Sequence, residues 1–217
     1  LNHLVMDVSL IASMGMRVVL VHGSRPQIEE LMGLRKLEGQ FYKGVRITGP
    51  QELECVKEAC GETRFDIEAA FSQGLPNTPM QHSRIKVVSG NFVTARPMGI
   101  IDGVDYLHTG VVRKVDAESI QDLLSRGNIV LVSPTGFSPT GEAFNLTTED
   151  VATAIAVAIH ADKLILSVGV DGVRVRGEKQ QDLTAQQAQA LIQSKQVDDE
   201  DVYNLGYALR AIKGGVD

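Results

Sequence analysis

Apolar positions along the chain recur in two periods, and the switches between them lay out the elements. Leu1, Leu4, Val5, Val8 and Ile11 fall at helical spacing, which predicts a helix over 1–14. An apolar run over 17–22 then reads as a strand, and Pro26 opens a helix over 26–34. The chain to Thr48 reads as irregular and hairpin-like. Pro50 opens a long helical stretch to about Gln73, with Gly61 inside it as a candidate break. Between Asn77 and Gly110 the pattern is short strands and turns, at 85–89, 92–95 and around Ile100. A helix over 117–126 leads to Asn128–Ser133, a near-continuous apolar run of the kind buried on both faces of a sheet. There follow a Pro/Gly/Ser-rich loop over 134–141, a helix from about Thr147 to His160, and a strand over 163–167 that enters a hairpin through Asp171-Gly172. The acidic run Lys195–Asp201 reads as a mobile surface loop, and Ala211–Asp217 as a helix end with a glycine stop.

Strands alternating with helices argue an α/β fold: a three-layer sandwich with a mostly parallel central sheet, decorated by a β-rich insertion. A helix with no strand before it, and a glycine stop about to enter another strand, read as one domain over 1–217 truncated at both ends. A length of 217 residues suffices for one such core. No apolar run approaches the ~20 residues that span a bilayer, and no signal-like segment opens the chain, so the expected location is cytoplasmic. The net charge of −6 argues against nucleic acid or an anionic membrane as partner. Cys55 and Cys60, five apart in a predicted helix, suit neither a disulfide nor a zinc site and read as reduced thiols; no metal site is expected.

Three places carry candidate chemistry. The strand–turn–helix at 17–26 aims free backbone N–H groups and a positive dipole end at whatever lies above the turn, the build of a phosphate cradle. Here Gly23 is followed by Ser24 and Arg25, whose side chains stand where bare glycines would admit a phosphate most closely. Gly44-Val-Arg-Ile-Thr48 places Arg46 where its planar fork could meet a carboxylate, or where it makes a surface salt bridge. Phe144–Asp150 leads into an alanine-rich helix. It is open to two readings: a ligand edge at the carboxyl ends of strands, or plain capping by Thr147 or Thr148 with Glu149 complementing the dipole.

Taken in order, His22-Gly23, Gly44–Thr48, Gly110–Asp116, Ile129–Gly136, Asn145 with the following helix, and Ala208–Val216 resemble the amino-acid kinase family. The resemblance implies a carbamate kinase-like fold. The nearest branch holds N-acetylglutamate kinase and N-acetylglutamate synthase. Within it, Val21–Ile28, Asn77-Thr-Pro79 and Val88–Gly99 are similar to the kinase-like domain of the bacterial synthase.

Departures from the kinase pattern favour the synthase branch. The lysine-bearing first strand has no match, and the glycine turn is altered at Ser24-Arg25. The organising aspartate falls on Glu149 beside Asp150, the nucleotide-facing Thr-Asp pair on Val168 and Gly169, and the late lysine on Asn204. Phosphoryl transfer is positioning plus charge stabilisation, so such a site is degenerate, spanning Gly23, Ser24, Arg25 and Glu149. By the same resemblance Arg46 and Asn145 line a retained acylamino-acid pocket. The implied role is regulatory: the whole protein would transfer acetyl from acetyl-CoA to L-glutamate in the first step of arginine biosynthesis. L-arginine would be the effector, the assembly a homo-oligomer, and this chain free of cofactor and catalytic residues of its own. The alternative is a divergent acetylglutamate kinase.

Overall fold

A computed structural model describes residues 1–73, 85–167, 172–175, 178–194 and 197–216. The chain divides into two compact units, Leu1–Val151 and Ala152–Asp217. The fold is α/β, as expected.

The first unit is built on a three-stranded parallel sheet. Its strands are β1 (Val19–Val21), β4 (Val87–Ser89) and β9 (Ile129–Val132), in the order β1-β9-β4. All four residues of β9 are buried, which its unbroken apolar run foretells for a central strand. On one face, Ile129 and Leu131 pack with Val5 and Val8 of α1 (Asn2–Ser13) and Ile67, Ala70 and Phe71 of α3 (Pro50–Ser72). The helix α2 (Arg25–Leu34) packs Ile28 and Met32 against Cys55, Val56, Ala59 and Cys60 of α3. Gly61 does not break α3, which runs 23 residues without interruption. A mid-helix glycine costs ~1 kcal/mol relative to alanine. Here the turns on either side are clamped, by α2 before Gly61 and by the sheet and α1 after it.

The expected β-rich insertion is present. Two tight hairpins, β2 (Gln40–Tyr42) with β3 (Val45–Ile47) and β6 (Ile100–Ile101) with β7 (Val104–Asp105), turn at Lys43-Gly44 and Asp102-Gly103. Both turn residues in each have positive φ, as a two-residue hairpin requires. Lys43 Nζ donates to Asp102 Oδ2 at 2.5 Å, and Tyr106 Oη to Tyr42 O at 3.1 Å, so the tips are pinned together. A mixed sheet, β11-β10-β5-β8, unites β5 (Val93–Pro97), β8 (Gly110–Val115), β10 (Thr135–Phe137) and β11 (Ala143–Asn145). The 134–141 segment, read as a loop, thus contains a strand: Thr135, Gly136 and Phe137 pair with β11, whose Ala143 returns after the tight turn at 138–142. The helix α4 (Ala117–Ser125) is capped by Asp116, whose carboxylate accepts from Ser119 N, and packs on β9.

In the second unit, α5 (Thr148–Ala158, which starts in the first unit) and α7 (Asp199–Lys213) supply Ala156 and Ala211 to a small core with Val216. Two expectations change here, and a third falls partly outside the described residues. Residues 163–167 are not in a strand: Leu164 packs on that core and Ile165 is exposed, the alternation of an extended chain, but no described strand pairs with it. The described hairpin comes later, between β12 (Arg174–Val175) and β13 (Glu178–Lys179), while Asp171 lies outside the described residues. Asp198–Asp201 is no loop but the start of α7. Asp198 caps it through Asp201 N, and Asp201 is buried, accepting from Arg174 N. An acidic run that would repel itself in a loop is well placed at a helix N-terminus, where the dipole favours negative charge. The expected glycine stop holds, with Gly214 ending α7.

Candidate functional site

The site follows from where the parallel strands end. Val21 lies opposite Val132 and Ser89 opposite Leu131, so β1, β4 and β9 finish at one edge. Ligands in open α/β sheets bind at that edge. His22 extends the pairing, its N–H donating to Val132 O at 3.1 Å, and Ser24, two residues beyond, is the N-cap of α2. The start of α5 adjoins the same turn: a Cβ placed on Gly23 would stand 3.6 Å from Thr148 Oγ1. Two helix N-termini therefore lie beside this turn, and a helix N-terminus carries the positive end of its dipole.

The side chains at this turn look inward. Ser24 is 2% exposed; its Oγ lies 3.3 Å from His22 Nδ1 and 3.2 Å from Thr63 Oγ1 of α3. The other imidazole nitrogen, Nε2, is 2.8 Å from Ser133 Oγ. Ser24 Oγ gives its hydrogen to Thr63 and Nδ1 also faces the Gly23 carbonyl, so these partners suit a neutral ring protonated at Nδ1, with Ser133 Oγ able to donate to Nε2. Burial lowers the His22 pKa; the bond to the Gly23 carbonyl opposes this, and the charge of Arg64 adds to it. Burial likewise pushes the Cys60 thiol up, with Ser24 opposing, which leaves it a poor nucleophile. Cys55 and Cys60 are both free thiols and buried. The Arg25 side chain is 75% exposed, with its Nε bonded to Glu29 Oε1 at 3.1 Å. Glu149 is partly buried in the first turn of α5. It is the neighbouring Asp150 that is buried and accepts from Val112 N at 2.9 Å, tying α5 to β8.

A chain of hydroxyls links Asn145 to the backbone carbonyl of Arg46, not to its guanidinium. Asn145 Nδ2 donates to Thr48 Oγ1 at 3.0 Å. Thr109 Oγ1 lies 2.9 Å from Thr48 Oγ1, accepts from Thr48 N at 3.0 Å and donates to Arg46 O at 2.6 Å. Thr48 and Thr109 are almost fully buried, and backbone bridges Thr48–Leu107 and Thr109–Asn145 close the network. The Arg46 side chain is only 9% exposed. Its guanidinium lies over the Phe41 ring at 4.6 Å, donates through Nη1 to Met32 Sδ at 3.2 Å and through Nη2 to Glu29 Oε1 at 3.3 Å. Burial lowers its pKa, the Glu29 carboxylate raises it, and Arg25 again lowers it. Gly39 makes room for this head group, since a Cβ there would stand 2.7 Å from Nη1.

The surface salt bridge read for Arg46 is thus replaced by a buried cation on a half-exposed carboxylate. Arg25 and Arg46, read as belonging to separate sites, share one carboxylate oxygen and flank one ring, Phe41. Glu29, Phe41, Thr109 and the His22–Ser133 pair were not singled out from the sequence. Only the four-residue spacing of Arg25 and Glu29 on one helix signals any of these contacts. Val168, Gly169 and Asn77–Pro79 lie outside the described residues, and Asn204 lies within α7. Among the described residues no cluster of His, Cys, Asp and Glu could hold a metal, and no helix is long and apolar enough to cross a membrane.

Known proteins share this architecture. An amino-acid acetyltransferase of Ralstonia nicotianae is 55% identical over 217 residues, which is 100% of this chain and 48% of the relative. Another, from Pseudomonas fluorescens, is 47% identical over 99% of this chain and 50% of its own. The chain therefore spans about half the length of the curated relatives it matches. The crystal structure of N-acetylglutamate synthase from Neisseria gonorrhoeae complexed with coenzyme A and L-arginine superposes with a TM-score of 0.92. It is 34% identical and is matched over 99% of this chain and 50% of that one. Giardia carbamate kinase, at 13% identity, shares the fold, with a TM-score of 0.70 over 98% of this chain and 80% of that one. The amino acid kinase family model matches residues 1–203, almost the whole length, and with the strand-edge geometry above it establishes that the chain belongs to the amino acid kinase family.

Proposed function

We propose that this chain is the regulatory, amino-acid-kinase-like part of an amino-acid acetyltransferase of the N-acetylglutamate synthase type. The whole protein moves the acetyl group of acetyl-CoA onto the amine of L-glutamate, forming an amide and releasing the thiol of coenzyme A. That chemistry belongs to the part of such proteins that this chain does not match, and acetyl-CoA binds there. L-arginine is the effector, the protein is cytoplasmic, and it acts as a homo-oligomer. The names of the relatives and the Neisseria complex with L-arginine support this reading.

The observation that carries it is the state of the turn after β1. A kinase needs positive charge aimed at the transferring phosphoryl group. Ser24 is instead buried against His22 and Thr63, and Arg25 is paired with Glu29 on the outer side of α2. Arg46 and Asn145 keep the floor of an acylamino-acid pocket, Arg46 as carboxylate anchor and Asn145 as a polar contact. Gly23, Ser24, Arg25 and Glu149 are the remnant of the phosphate site.

The test is acetyl transfer from acetyl-CoA to glutamate, measured for the 217-residue chain and for the full-length natural protein. The chain alone should show none, and the full-length protein should show transfer whose rate shifts with arginine. Transfer by the chain alone, or an arginine-indifferent full-length enzyme, would refute the assignment.

A further inference from the structure

Arg46 is a buried cation whose fork is only half used. A guanidinium presents parallel N–H pairs that match the two oxygens of one carboxylate. Here one oxygen, Glu29 Oε1, is engaged by Nη2 alone at 3.3 Å, longer than charge-assisted bonds of this kind usually are. Nη1 points at the thioether of Met32, a weak acceptor. Phe41 covers one face and Gly39 lies against Nη1, so protein closes those sides. Glu29, whose carboxylate meets Nη2, is itself half exposed.

The same Oε1 is 3.1 Å from Nε of Arg25, one helical turn earlier and largely exposed. Glu29 therefore stands between two cations, one dry and one wet. Leaving Arg46 costs Glu29 little, because Arg25 can keep it paired. Leaving Arg46 unpaired would be costly, because a buried charge without a partner is strongly disfavoured. The exchange that satisfies both is one carboxylate for another.

We propose that Glu29 is a built-in competitor for the Arg46 pocket. Its carboxylate holds the guanidinium while the pocket is empty, and moves onto Arg25 when the carboxylate of a small acylated amino acid enters. This rests on Arg46 being a carboxylate anchor, as proposed above. It adds that the affinity of the pocket is set by a residue of α2 that touches no ligand, and that Arg25 is the parking place that permits entry. The opposing roles make the prediction signed: removing the competitor tightens binding, and removing the parking place weakens it.

The experiment is calorimetric titration of the 217-residue chain with N-acetyl-L-glutamate as probe. It compares the wild type, Glu29→Gln, Arg25→Gln and the double variant Glu29→Gln/Arg46→Gln. Glu29→Gln leaves the buried Arg46 without its carboxylate, so its folding is checked by circular dichroism before titration; Arg25→Gln alters an exposed residue, and the double variant removes both buried-pair charges together. Glu29→Gln should bind about tenfold tighter than wild type, a shift in Kd that titration resolves easily. Arg25→Gln should bind several-fold more weakly, and the double variant should lose the gain. Equal affinities in the first three, or shifts of the same sign in both single variants, overturn the competitor while leaving the anchor standing if the double variant loses binding. Tight binding by the double variant, or no binding by a folded Glu29→Gln chain, overturns the anchor and the competitor with it.

Discussion

The turn after β1 and the strand β3 each carry an arginine paired with Glu29, and their environments are opposite. Arg25 stands in water on the outside of α2, while Ser24 beside it is packed into the core with His22. Arg46 is dry, roofed by an aromatic ring and held by a threonine network from behind. A wet arginine with a helical partner contributes little beyond a surface pair. A dry one makes any carboxylate that reaches it count. The difference teaches that burial, not the residue type, decides what each arginine can hold, and the proposed function assigns the phosphate remnant to the first place and the carboxylate anchor to the second.

The comparison can be broken at its strongest point first. Thr109→Val keeps the shape of the side chain but leaves the buried Thr48 N–H without its acceptor and Arg46 O without its donor. The expected loss is about 2–4 kcal/mol, from two buried groups each left unpaired, read as a lower urea midpoint. A change under half of that would mean the network does not hold β3 in place. Next, Gly39→Ala forces a methyl group to within 2.7 Å of the Arg46 head. Overpacking of this kind costs about 1–3 kcal/mol, and the guanidinium should shift off Glu29 in a crystal structure of the variant.

The inward-facing region is sharpened by pH. His22 has its pKa lowered by burial in the folded chain. The unfolded chain therefore takes up the proton first, near pH 6.5, and stability that is whole above that value falls as the pH drops toward the folded pKa. The slope from this one group is at most about 1.4 kcal/mol per pH unit. Unfolding free energies for wild type and His22→Gln from pH 7.5 to 5 should converge toward the acid end. Parallel curves would show that His22 is not held neutral. The smallest effect belongs to Ser133→Ala, which removes one hydroxyl from the imidazole. It should cost about 1 kcal/mol, with denaturant titration as the check.

Much of the framework was legible because it rests on local pattern. The unbroken apolar run of β9 marked a strand covered on both faces, and Pro26 and Pro50 marked helix starts. Lys43-Gly44 lies in the stretch whose pattern is hairpin-like, and Asp102-Gly103 carries the same turn chemistry within the run of short strands. What stayed hidden depends on contacts distant in sequence. Arg46 is buried because the β2–β3 hairpin folds back on α2, bringing Phe41 and Glu29 to it, and no periodicity in Gly44–Thr48 encodes that return. Thr109 meets Thr48 across 61 residues. The acidic run before α7 misled for a different reason. Its charge was counted as solvated, when Asp198 was a cap and Asp201 bonded the backbone of Arg174. Between Glu149 and Asp150 the sequence offered two carboxylates, and only the fold separates them: the buried one ties α5 to β8.

The central claim is that a phosphate-handling edge survives in backbone while its side chains no longer serve phosphoryl transfer. The most direct measurement is ADP release from magnesium-ATP by this chain in the presence and absence of N-acetyl-L-glutamate. No release above background with either addition is the expected result. Steady ADP formation that depends on acetylglutamate would contradict it, and would make the turn after β1 a working kinase site.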